Sequence, residues 1–275
     1  MRSIAVMNQK GGVGKTTTAV NLSAALAAAG QRVCLIDLDP QAHASLHLGV
    51  TLGDDQPSIY HVLTGDKAFQ DVRRQVAENL WLVPAHLDLA AAEVELAGEV
   101  GREVILRDKL ANDEPFDFLL IDCPPSLGVL TINALTMVRE VFLPLQPHFL
   151  ALHGLSKLLR TIEIVSQRLN RQLKLTGVVL CMYDANTRLA NEVSDDVVAY
   201  FAKDRTPDCI WAEARTFATR IRRNVRLAEA PSFGQSILQY APASHGAEDY
   251  QNLAREVLSS AGCSARPQPV LRNAA

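Results

Sequence analysis

Apolar and polar positions alternate along the chain in a pattern that predicts strands and helices in turn. Short apolar runs predict buried strands, and longer segments with apolar residues at helical spacing predict helices. Strands are expected at residues 4–7, 32–37, 80–83, 116–121, 141–145 and 173–182, with a short one at 209–212. Helices are expected at residues 15–29, 87–110, 152–169, 192–201 and 247–260, the second with a break at Gly98 or Gly101.

This alternation is typical of a parallel sheet that carries helices on both faces. We therefore expect an α/β fold with a mostly parallel, twisted sheet in a single domain that spans residues 1–261. Residues 49–58 carry glycines, acids and a proline and are expected to form a loop. Residues 262–275 contain Pro267 and Pro269 and are expected to form a disordered tail.

The composition narrows the class of protein. Of the 275 residues, 48% are hydrophobic and 21% charged, which suits a chain with a full core and argues against global disorder. No apolar run approaches the roughly 18 residues that span a bilayer. The five cysteines are scattered without a CxxC pair, which argues against a disulfide framework or a zinc ribbon and favours the cytoplasm. The net charge of −3 excludes a globally basic coat protein for nucleic acid, although a local basic patch stays open.

The strongest chemical signal is a glycine-rich segment that reads KGGVGKTT. It follows an apolar strand and opens a helix, which is the context of a phosphate-binding loop (P-loop). Its backbone N–H groups and the start of the helix favour phosphate oxygens. Lys15 is expected to reach the β- and γ-phosphates of a nucleotide, and Thr16 to bind Mg²⁺. The expected nucleotide-binding residues of this loop are Lys10, Gly11, Gly12, Val13, Gly14, Lys15, Thr16 and Thr17.

Two acidic segments follow predicted strands and are expected to face the same crevice. The first contains Asp37 and Asp39, and the second begins at Asp122. Carboxylates at the carboxyl ends of parallel strands can orient a water molecule or support a metal ion, and Asp122 is expected to hold Mg²⁺ through water. The acids of the first segment could instead cap the helix that follows.

Packing explains several other side chains better than chemistry does. His43 and His47 lack the glutamate of a zinc-protease motif, so no metal site is expected there. Cys123 has no histidine base fixed nearby by sequence and is expected to be a small packing residue. The leucines and isoleucines of helix 152–169 are expected to face the core.

Together these segments resemble the ParA/MinD superfamily of ATPases. Lys10, five residues before Lys15, matches the deviant Walker A box of that superfamily. The segment 223–234, which begins RNVRL and continues EAPS and Gly234, is similar to the RNVRLSEAPSHG segment of the Soj/ParA partition ATPases. The resemblance runs from residue 4 to about residue 258. Ala42-His43 stands where the family usually has Gly-Asn, and Arg222 where it often has proline.

The resemblance implies a function and a set of roles. It implies a P-loop ATPase, weak until stimulated by a partner, in which Lys10, Lys15 and Asp39 are catalytic. Lys10 would reach the phosphates held by the other subunit of an ATP-bound homodimer, and Asp39 would orient the attacking water. Arg222 and Asn224 would lie beside the adenine. ATP and Mg²⁺ are the implied cofactors, and a ParB/Spo0J-like centromere-binding protein is the implied partner in chromosome or plasmid partition.

We expect the dimer to bind double-stranded DNA without sequence preference and to associate with the nucleoid. Several arginines fall within twelve residues of an acidic chain, between residues 215 and 226. A further arginine, in the loop after strand 173–182, joins them by resemblance to the family's DNA-binding loop. These arginines could instead pair with local acids such as Glu213 and Glu229. The expected DNA-binding residues are Arg188, Arg220, Arg222, Arg223 and Arg226.

Four other functions stay open at this point. A MinD-like ATPase would need a lipid-binding amphipathic helix, and residues 262–275 are short and interrupted by proline, so no stable membrane association is expected. Another cargo-positioning ATPase of the same superfamily also stays open. An iron–sulfur reductase resembling the nitrogenase iron protein would need cluster ligands, for which Cys123 and Cys181 are misplaced. A non-enzymatic scaffold that only switches with nucleotide would release no phosphate.

Overall fold

The apolar runs form the strands of one sheet. The computed structural model describes residues 1–65, 67–111, 116–148, 155–185, 187–203, 206 and 209–260. The strands in this part of the chain are β1 (Arg2–Val6), β2 (Val33–Asp37), β3 (Arg74–Ala77), β4 (Leu80–Val83), β5 (Phe118–Asp122), β6 (Glu140–Leu145), β7 (Lys174–Leu180) and β8 (Arg215–Thr216).

The sheet has the strand order β3-β4-β2-β5-β1-β6-β7-β8. Every neighbouring pair is parallel except β3 and β4, which run antiparallel at one edge. The carboxyl ends of β2, β5 and β1 therefore lie side by side in the middle of the sheet. Ligands of open α/β sheets bind outside such ends.

Twelve α-helices connect and cover the strands in the described part of the chain. They are α1 (Lys15–Ala28), α2 (His43–His47), α3 (Ile59–Thr64), α4 (Phe69–Val72), α5 (Leu89–Glu95), α6 (Ile105–Leu110), α7 (Val129–Met137), α8 (Leu155–Arg168), α9 (Arg188–Ala202), α10 (Val225–Glu229), α11 (Ile237–Tyr240) and α12 (His245–Ser260). Short 3₁₀ turns follow α5, at Leu96–Gly98, and α10, at Ala230–Phe233.

The core lies on both faces of the sheet because successive side chains of a strand point to opposite sides. In β2, Cys34 and Ile36 belong to the buried cluster of one face, which includes residues of α7, α8 and α9, whereas Val33 and Leu35 belong to that of the other face, which includes residues of α1 and α12. The strands are accordingly apolar throughout, as expected of a sheet that is covered on both sides.

The fold class predicted from the sequence is confirmed. The predicted helices 15–29 and 247–260 match α1 and α12, and the apolar stripe of α8 is buried in the core. Gly30, which follows α1, has a φ of 82°, as a residue that ends a helix often does. Residues 152–154, at the start of one predicted helix, and the tail 262–275 lie outside the described residues.

One predicted strand was wrong. Residues 209–212 do not form a strand, because the N–H groups of Cys209 and Ala212 close local turns, and Leu175 of β7 donates to the Ile210 carbonyl as a single contact. The strand at this edge is β8 instead. The predicted helix 87–110 is confirmed with its break at Gly98 or Gly101, since turns over residues 96–104 separate α5 from α6.

No helix in the described ranges is long and apolar enough to cross a membrane.

Candidate functional site

The glycine-rich loop joins β1 to α1 at the centre of the sheet. Gly14 precedes α1 with a φ of 95°, a conformation that side chains rarely adopt. A methyl group added at Gly14 would also lie 3.3 Å from Sγ of Cys181, which follows β7. The position therefore requires glycine for both its backbone conformation and its close approach to the sheet.

Lys15 is the first residue of α1 and points back over the loop. Its Nζ donates to the carbonyl of Lys10 at 3.0 Å, and the side chain is mostly buried. Burial lowers the pKa of Lys15, and the nearby carboxylates of Asp122 and Asp39 oppose that shift. Asn8 fixes the start of the loop, since its Oδ1 accepts from the Lys10 N–H and its Nδ2 donates to the Pro144 carbonyl.

Asp122 is the last residue of β5 and is fully buried. Burial, with the neighbouring charge of Asp37, raises the pKa of Asp122 well above its ordinary value. The Thr16 side chain approaches the carboxylate closely enough to lower that pKa, but neither oxygen has a partner in hydrogen-bond geometry. Two buried, unpartnered carboxylate oxygens beside a threonine hydroxyl are a suitable pair of donors for a hard cation such as Mg²⁺.

Asp37 ends β2, and its carboxylate is held by hydrogen bonds from Ser45. Its Oδ2 accepts from both the backbone N–H and the hydroxyl of Ser45, at 2.8 and 2.7 Å. The Ser45 hydroxyl in turn accepts from the Ala85 N–H beyond β4. Burial raises the pKa of Asp37 to about 6. Asp37 is therefore a structural anchor for α2, and its charge also acts on Asp122.

Asp39 lies two residues further on, at the wall of a cavity of about 860 Å³. Its Oδ1 accepts from the Gln41 N–H at 3.0 Å, so the carboxylate caps the turn that leads into α2. Ala42, in this turn, has a φ of 53°, in the left-handed region that favours glycine. The glycine-to-alanine difference noted in the sequence thus falls at a strained backbone position.

Residues 221–228, which we call the C-terminal segment, form another wall of this cavity. Arg222 lies here, but its guanidinium binds the buried carboxylate of Asp249 and the exposed one of Glu248. These acids raise the pKa of Arg222 further. The Asn224 side chain accepts from the Arg226 N–H and caps α10. Besides the P-loop, the lining includes Asp39, Gln41, His43, Pro125, Cys181, Arg222, Arg223, Asn224, Val225 and Tyr250.

The loop after α2 and the 3₁₀ turn after α10 also touch directly. Gly49, in the loop after α2, meets Gly234, which ends the 3₁₀ turn after α10. A methyl group added at Gly234 would lie 2.7 Å from the Gly49 Cα. Both glycines have positive φ values, 73° and 62°. This contact joins the loop that follows α2 to the turn that follows α10.

The predicted DNA-binding arginines are in different situations. Arg188 is the first residue of α9 rather than part of the preceding loop, and it pairs with Glu192 at 2.7 Å. Arg226 pairs with Glu229 at 2.8 Å, which is the local pairing that the sequence left open as an alternative to DNA binding. Arg220 stacks over the ring of Tyr183 and donates to its hydroxyl. Arg223 is exposed and, within the described residues, has no ion-pair partner.

Two of the three residues assigned to packing are buried, Cys123 and His47, whereas His43 is exposed. Cys123 is fully buried, and burial raises the pKa of its thiol. His43 is exposed but His47 is buried, so the two rings do not share one surface, and burial lowers the pKa of His47 to about 4. No cluster of three metal-ligating side chains occurs among the residues described.

Comparison with known proteins agrees with the geometry. A protein-family profile described as an AAA domain matches residues 1–175. The chain is 46% identical to the sporulation initiation inhibitor protein Soj of Bacillus subtilis, over 94% of this chain and 98% of Soj. It is also 46% identical to the chromosome partitioning protein ParA of Caulobacter vibrioides, over 94% of each chain. This chain belongs to the ParA/Soj family of chromosome-partitioning ATPases.

Solved structures share the fold of this ParA/Soj-family ATPase. The structure of a Mycobacterium smegmatis protein described as cobyrinic acid a,c-diamide synthase, with a bound ATP analogue and magnesium, is 38% identical, has a TM-score of 0.80 and covers 98% of each chain. The septum site-determining protein MinD of Pyrococcus horikoshii, complexed with Mg-ADP, is 25% identical with a TM-score of 0.71, over 95% of this chain and 97% of MinD.

Sequence reasoning missed several residues that shape the site of this ParA/Soj-family ATPase. Ser45 and Asp249 bind the key side chains Asp37 and Arg222. Under the P-loop, the Thr18 hydroxyl contacts the hydroxyl of Tyr250 at 3.2 Å. These partners are distant in sequence and belong to no contiguous motif, so only the fold brings them to the site.

Proposed function

We propose that this chain binds and hydrolyses ATP with Mg²⁺ in the cavity between the P-loop and the C-terminal segment. The observation that supports this most directly is the buried Asp122 carboxylate, whose two oxygens lack hydrogen-bond partners beside Thr16 and Lys15. A buried carboxylate in this state is costly unless a cation compensates it. Asp122, through water, and Thr16 would hold the ion, and Mg²⁺ would supply charge neutralisation at the phosphates.

Lys15 and Asp39 have distinct roles in this proposal. Lys15, held over the loop by the Lys10 carbonyl, would exchange that contact for the β- and γ-phosphate oxygens. Asp39 lines the cavity with its carboxylate partly engaged by the Gln41 N–H, which fixes its direction. A fixed carboxylate at this place would orient the attacking water for in-line displacement. The P-loop amides complete the phosphate cradle.

Lys10 and Asn224 extend the proposal to the dimer and the base. Lys10 lies on the loop with its backbone fixed by Asn8, and its side chain would reach the phosphates held by a second copy. Asn224 and the exposed Val225 border the cavity where a base would lie. Because the Arg222 guanidinium is engaged by Asp249 and Glu248, its contact with the adenine would be limited to the edge of the cavity.

We infer that the ATP-bound dimer binds DNA through Arg223, with a smaller contribution from the paired arginines. Arg223 is exposed and free of carboxylates in the described chain, whereas Arg188, Arg222 and Arg226 are neutralised by neighbours. Phosphate contacts carry no sequence information, so binding would be non-specific and salt-sensitive. A dimer presents two such surfaces, which strengthens binding through avidity. The cellular role would be chromosome or plasmid partition with a ParB/Spo0J-like partner at the nucleoid.

The test is co-sedimentation with DNA of unrelated sequences in Mg-ATP and in Mg-ADP. We expect retention on DNA in ATP only, equal for all sequences and lost as salt rises. Arg223→Glu should remove retention while dimerisation in Mg-ATP persists, and because Arg223 also lines the cavity, ATP affinity is measured in the same variant. Arg226→Glu is the matched control, because the charge of Arg226 is already compensated by Glu229. Equal DNA affinity for Arg223→Glu and wild type would place the DNA surface elsewhere, and retention on anionic liposomes would favour a MinD-like role.

A further inference from the structure

A second cavity lies at the amino ends of the strands, at the opposite edge of the sheet from the P-loop. Its volume is about 760 Å³, inside the range of about 300 to 1,000 Å³ that small-molecule sites occupy. It shares no lining residue with the cavity beside the P-loop and is therefore a separate candidate site. We call it the amino-edge cavity, and its lining includes Arg2, Arg139, Glu140, Lys174, Arg215 and Ser260.

The floor of the amino-edge cavity is tightly packed. It includes the rings of Phe118, Phe142 and Phe217, and the last two meet edge to face with their centroids 5.1 Å apart. Gly177 of β7 makes room for them, because a methyl group added there would lie 2.5 Å from the Phe217 ring and 2.8 Å from the Phe142 ring. All three rings are buried, so this floor offers no exposed aromatic face on which a nucleobase could stack.

Arg2 lies against this floor and is held by several partners. Its Nη2 donates to Oε2 of Glu140 at 2.8 Å, and its guanidinium lies 5.9 Å from the centroid of the Phe118 ring. It also donates to the Val257 carbonyl and the Ser260 hydroxyl at the end of α12. Both carboxylate oxygens of Glu140 accept from this guanidinium. The two charges therefore compensate each other within the wall, and an anion in the cavity would have to be held by other cations.

Three such cations line the cavity, and none has a carboxylate partner within the described residues. Arg139 immediately precedes β6, Lys174 begins β7 and is half-buried, and Arg215 begins β8. The Arg215 guanidinium lies 5.3 Å from the centroid of the Phe217 ring, which holds it at the wall. Since neighbouring strands are about 4.8 Å apart, the strands that carry the first and last of these cations are separated by roughly 10 Å.

The acids at the same cavity limit the size of the anion that fits. Asp117 accepts from the Arg32 N–H at 2.8 Å, and Glu213 is exposed at the rim. A compact anion can lie among the three cations and away from these two carboxylates. An extended polyanion such as DNA would meet the carboxylates as well, which disfavours it.

We propose that the amino-edge cavity binds a small polyol that carries two phosphate groups. Arg139 and Arg215 would each bind one phosphate, because a guanidinium can donate to two phosphate oxygens at once, and Lys174 would lie between them as a point charge. The lack of an exposed ring favours a polyol over a nucleotide. Side chains that can meet its hydroxyl groups are those of Gln172 and Thr176. This site lies outside the proposed ATPase site and does not depend on it.

The experiment is a calorimetric titration of the full chain with fructose 1,6-bisphosphate in saturating Mg-ADP, which keeps the P-loop occupied. We expect one binding site per chain for the bisphosphate and none for fructose. The double substitution Lys174→Gln/Arg215→Gln should weaken binding at least tenfold, and Arg139→Gln should weaken it severalfold. Arg171→Gln/Lys203→Gln is the matched control, because it removes two exposed cations that do not line the cavity, and it should bind normally.

Several outcomes would contradict the proposal. Unchanged affinity in Lys174→Gln/Arg215→Gln, shown to be folded by circular dichroism, would overturn the site, and Arg139→Gln gives the same test if the double variant does not fold. Lys15→Ala should still bind the bisphosphate without nucleotide, whereas loss of binding would place the bisphosphate at the P-loop. Equally tight binding of inorganic phosphate or AMP would refute the preference for a bisphosphorylated polyol.

DNA is tested as the other possible occupant of the amino-edge cavity. Retention on DNA in Mg-ATP is measured for wild type and for Lys174→Gln/Arg215→Gln. We expect equal retention. Loss of retention in the variant, with no binding of the bisphosphate by wild type, would make these cations part of a DNA surface and overturn the proposal.

Discussion

Asp37 and Asp122 end two neighbouring parallel strands and are paired with each other in the register of β2 and β5. Both carboxylates are fully buried, and the charge of Asp37 contributes to the raised pKa of Asp122. Like charges at such a place disfavour ionisation of both groups. Without a bound cation, the two buried carboxylates therefore lower the free energy of unfolding at neutral pH. A cation bound beside them would offset that loss.

The first prediction concerns the pH dependence of stability without nucleotide or Mg²⁺. The pKa of Asp37 is about 6 in the folded chain and 3.8 ordinarily, so the folded state holds this proton more tightly. Stability should therefore fall as pH rises from about 4 to about 6, by about 3 kcal/mol from this residue, and stay lower above that range. Urea unfolding at a series of pH values measures this slope.

Substitution of Asp37 tests whether this residue causes the pH dependence. Asp37→Asn should flatten the slope, because it removes the titrating group and one charge beside Asp122. Asp54→Asn, in an exposed loop, should leave the slope unchanged. An unaltered slope in Asp37→Asn would show that Asp37 is ionised normally in the folded chain.

Lys15→Ala should abolish nucleotide binding, since the P-loop loses the cation that faces the β- and γ-phosphates. The fold should survive, because burial already disfavours the charged form of Lys15. Calorimetric titration with Mg-ATP measures the affinity, and circular dichroism checks the fold. Unchanged affinity in a folded variant would remove Lys15 from the phosphate site.

Lys10→Ala should keep ATP binding and lose the ATP-dependent dimer. The backbone of Lys10 is fixed by Asn8, so removal of the side chain leaves the loop in place. Light scattering in Mg-ATP gives the oligomeric state, with Mg-ADP as the reference. A normal dimer would contradict the role of Lys10 across the interface.

Asp39→Ala should bind ATP and dimerise but release phosphate far more slowly than wild type. The carboxylate would orient the attacking water, whereas the phosphates would be held by the P-loop. Phosphate release at saturating ATP measures the effect. Gln41→Ala is the comparison variant, because it changes a neighbouring side chain but keeps the backbone N–H that donates to Asp39. Wild-type turnover in Asp39→Ala would assign the water to another group.

Ala42→Gly should stabilise the protein by about 1 kcal/mol, because alanine at a φ of 53° bears a steric cost that glycine avoids. The free energy of unfolding in urea measures the change. Ala24→Gly, inside α1, is the control and should destabilise by about 1 kcal/mol. A loss of stability in Ala42→Gly would mean that the turn is not strained.

The chemistry-bearing part of the site could be predicted from the sequence because it is local. The P-loop, Asp39 and Asp122 each follow a buried strand, so a short pattern determines both the element and the side chain at its end. The partners that complete the site are not local. Ser45 lies on a five-residue helix, too short to show an amphipathic pattern, and Asp249 meets Arg222 only when α12 packs beside the segment that follows β8.

The errors have a similar origin. Residues 209–212 are apolar enough for a strand, but local turns use their N–H groups and the sheet pairs with β8 instead. The arginines looked like a continuous basic patch because a sequence does not show which carboxylates the fold brings to them. Arg222 is the clearest case, since the acids that bind it lie on α12.

The contact between Gly49 and Gly234 has a consequence for how this protein tolerates change. A side chain at either position would press the two backbones apart, since an added methyl group at Gly234 would lie 2.7 Å from the Gly49 Cα and one at Gly49 would lie 3.1 Å from the Gly234 carbonyl oxygen. Variation at either loop is thus tied to variation at the other, although they are far apart in the chain. An insertion or a bulkier residue in one of these loops would therefore require a matching shift of the other, so the two are expected to change together.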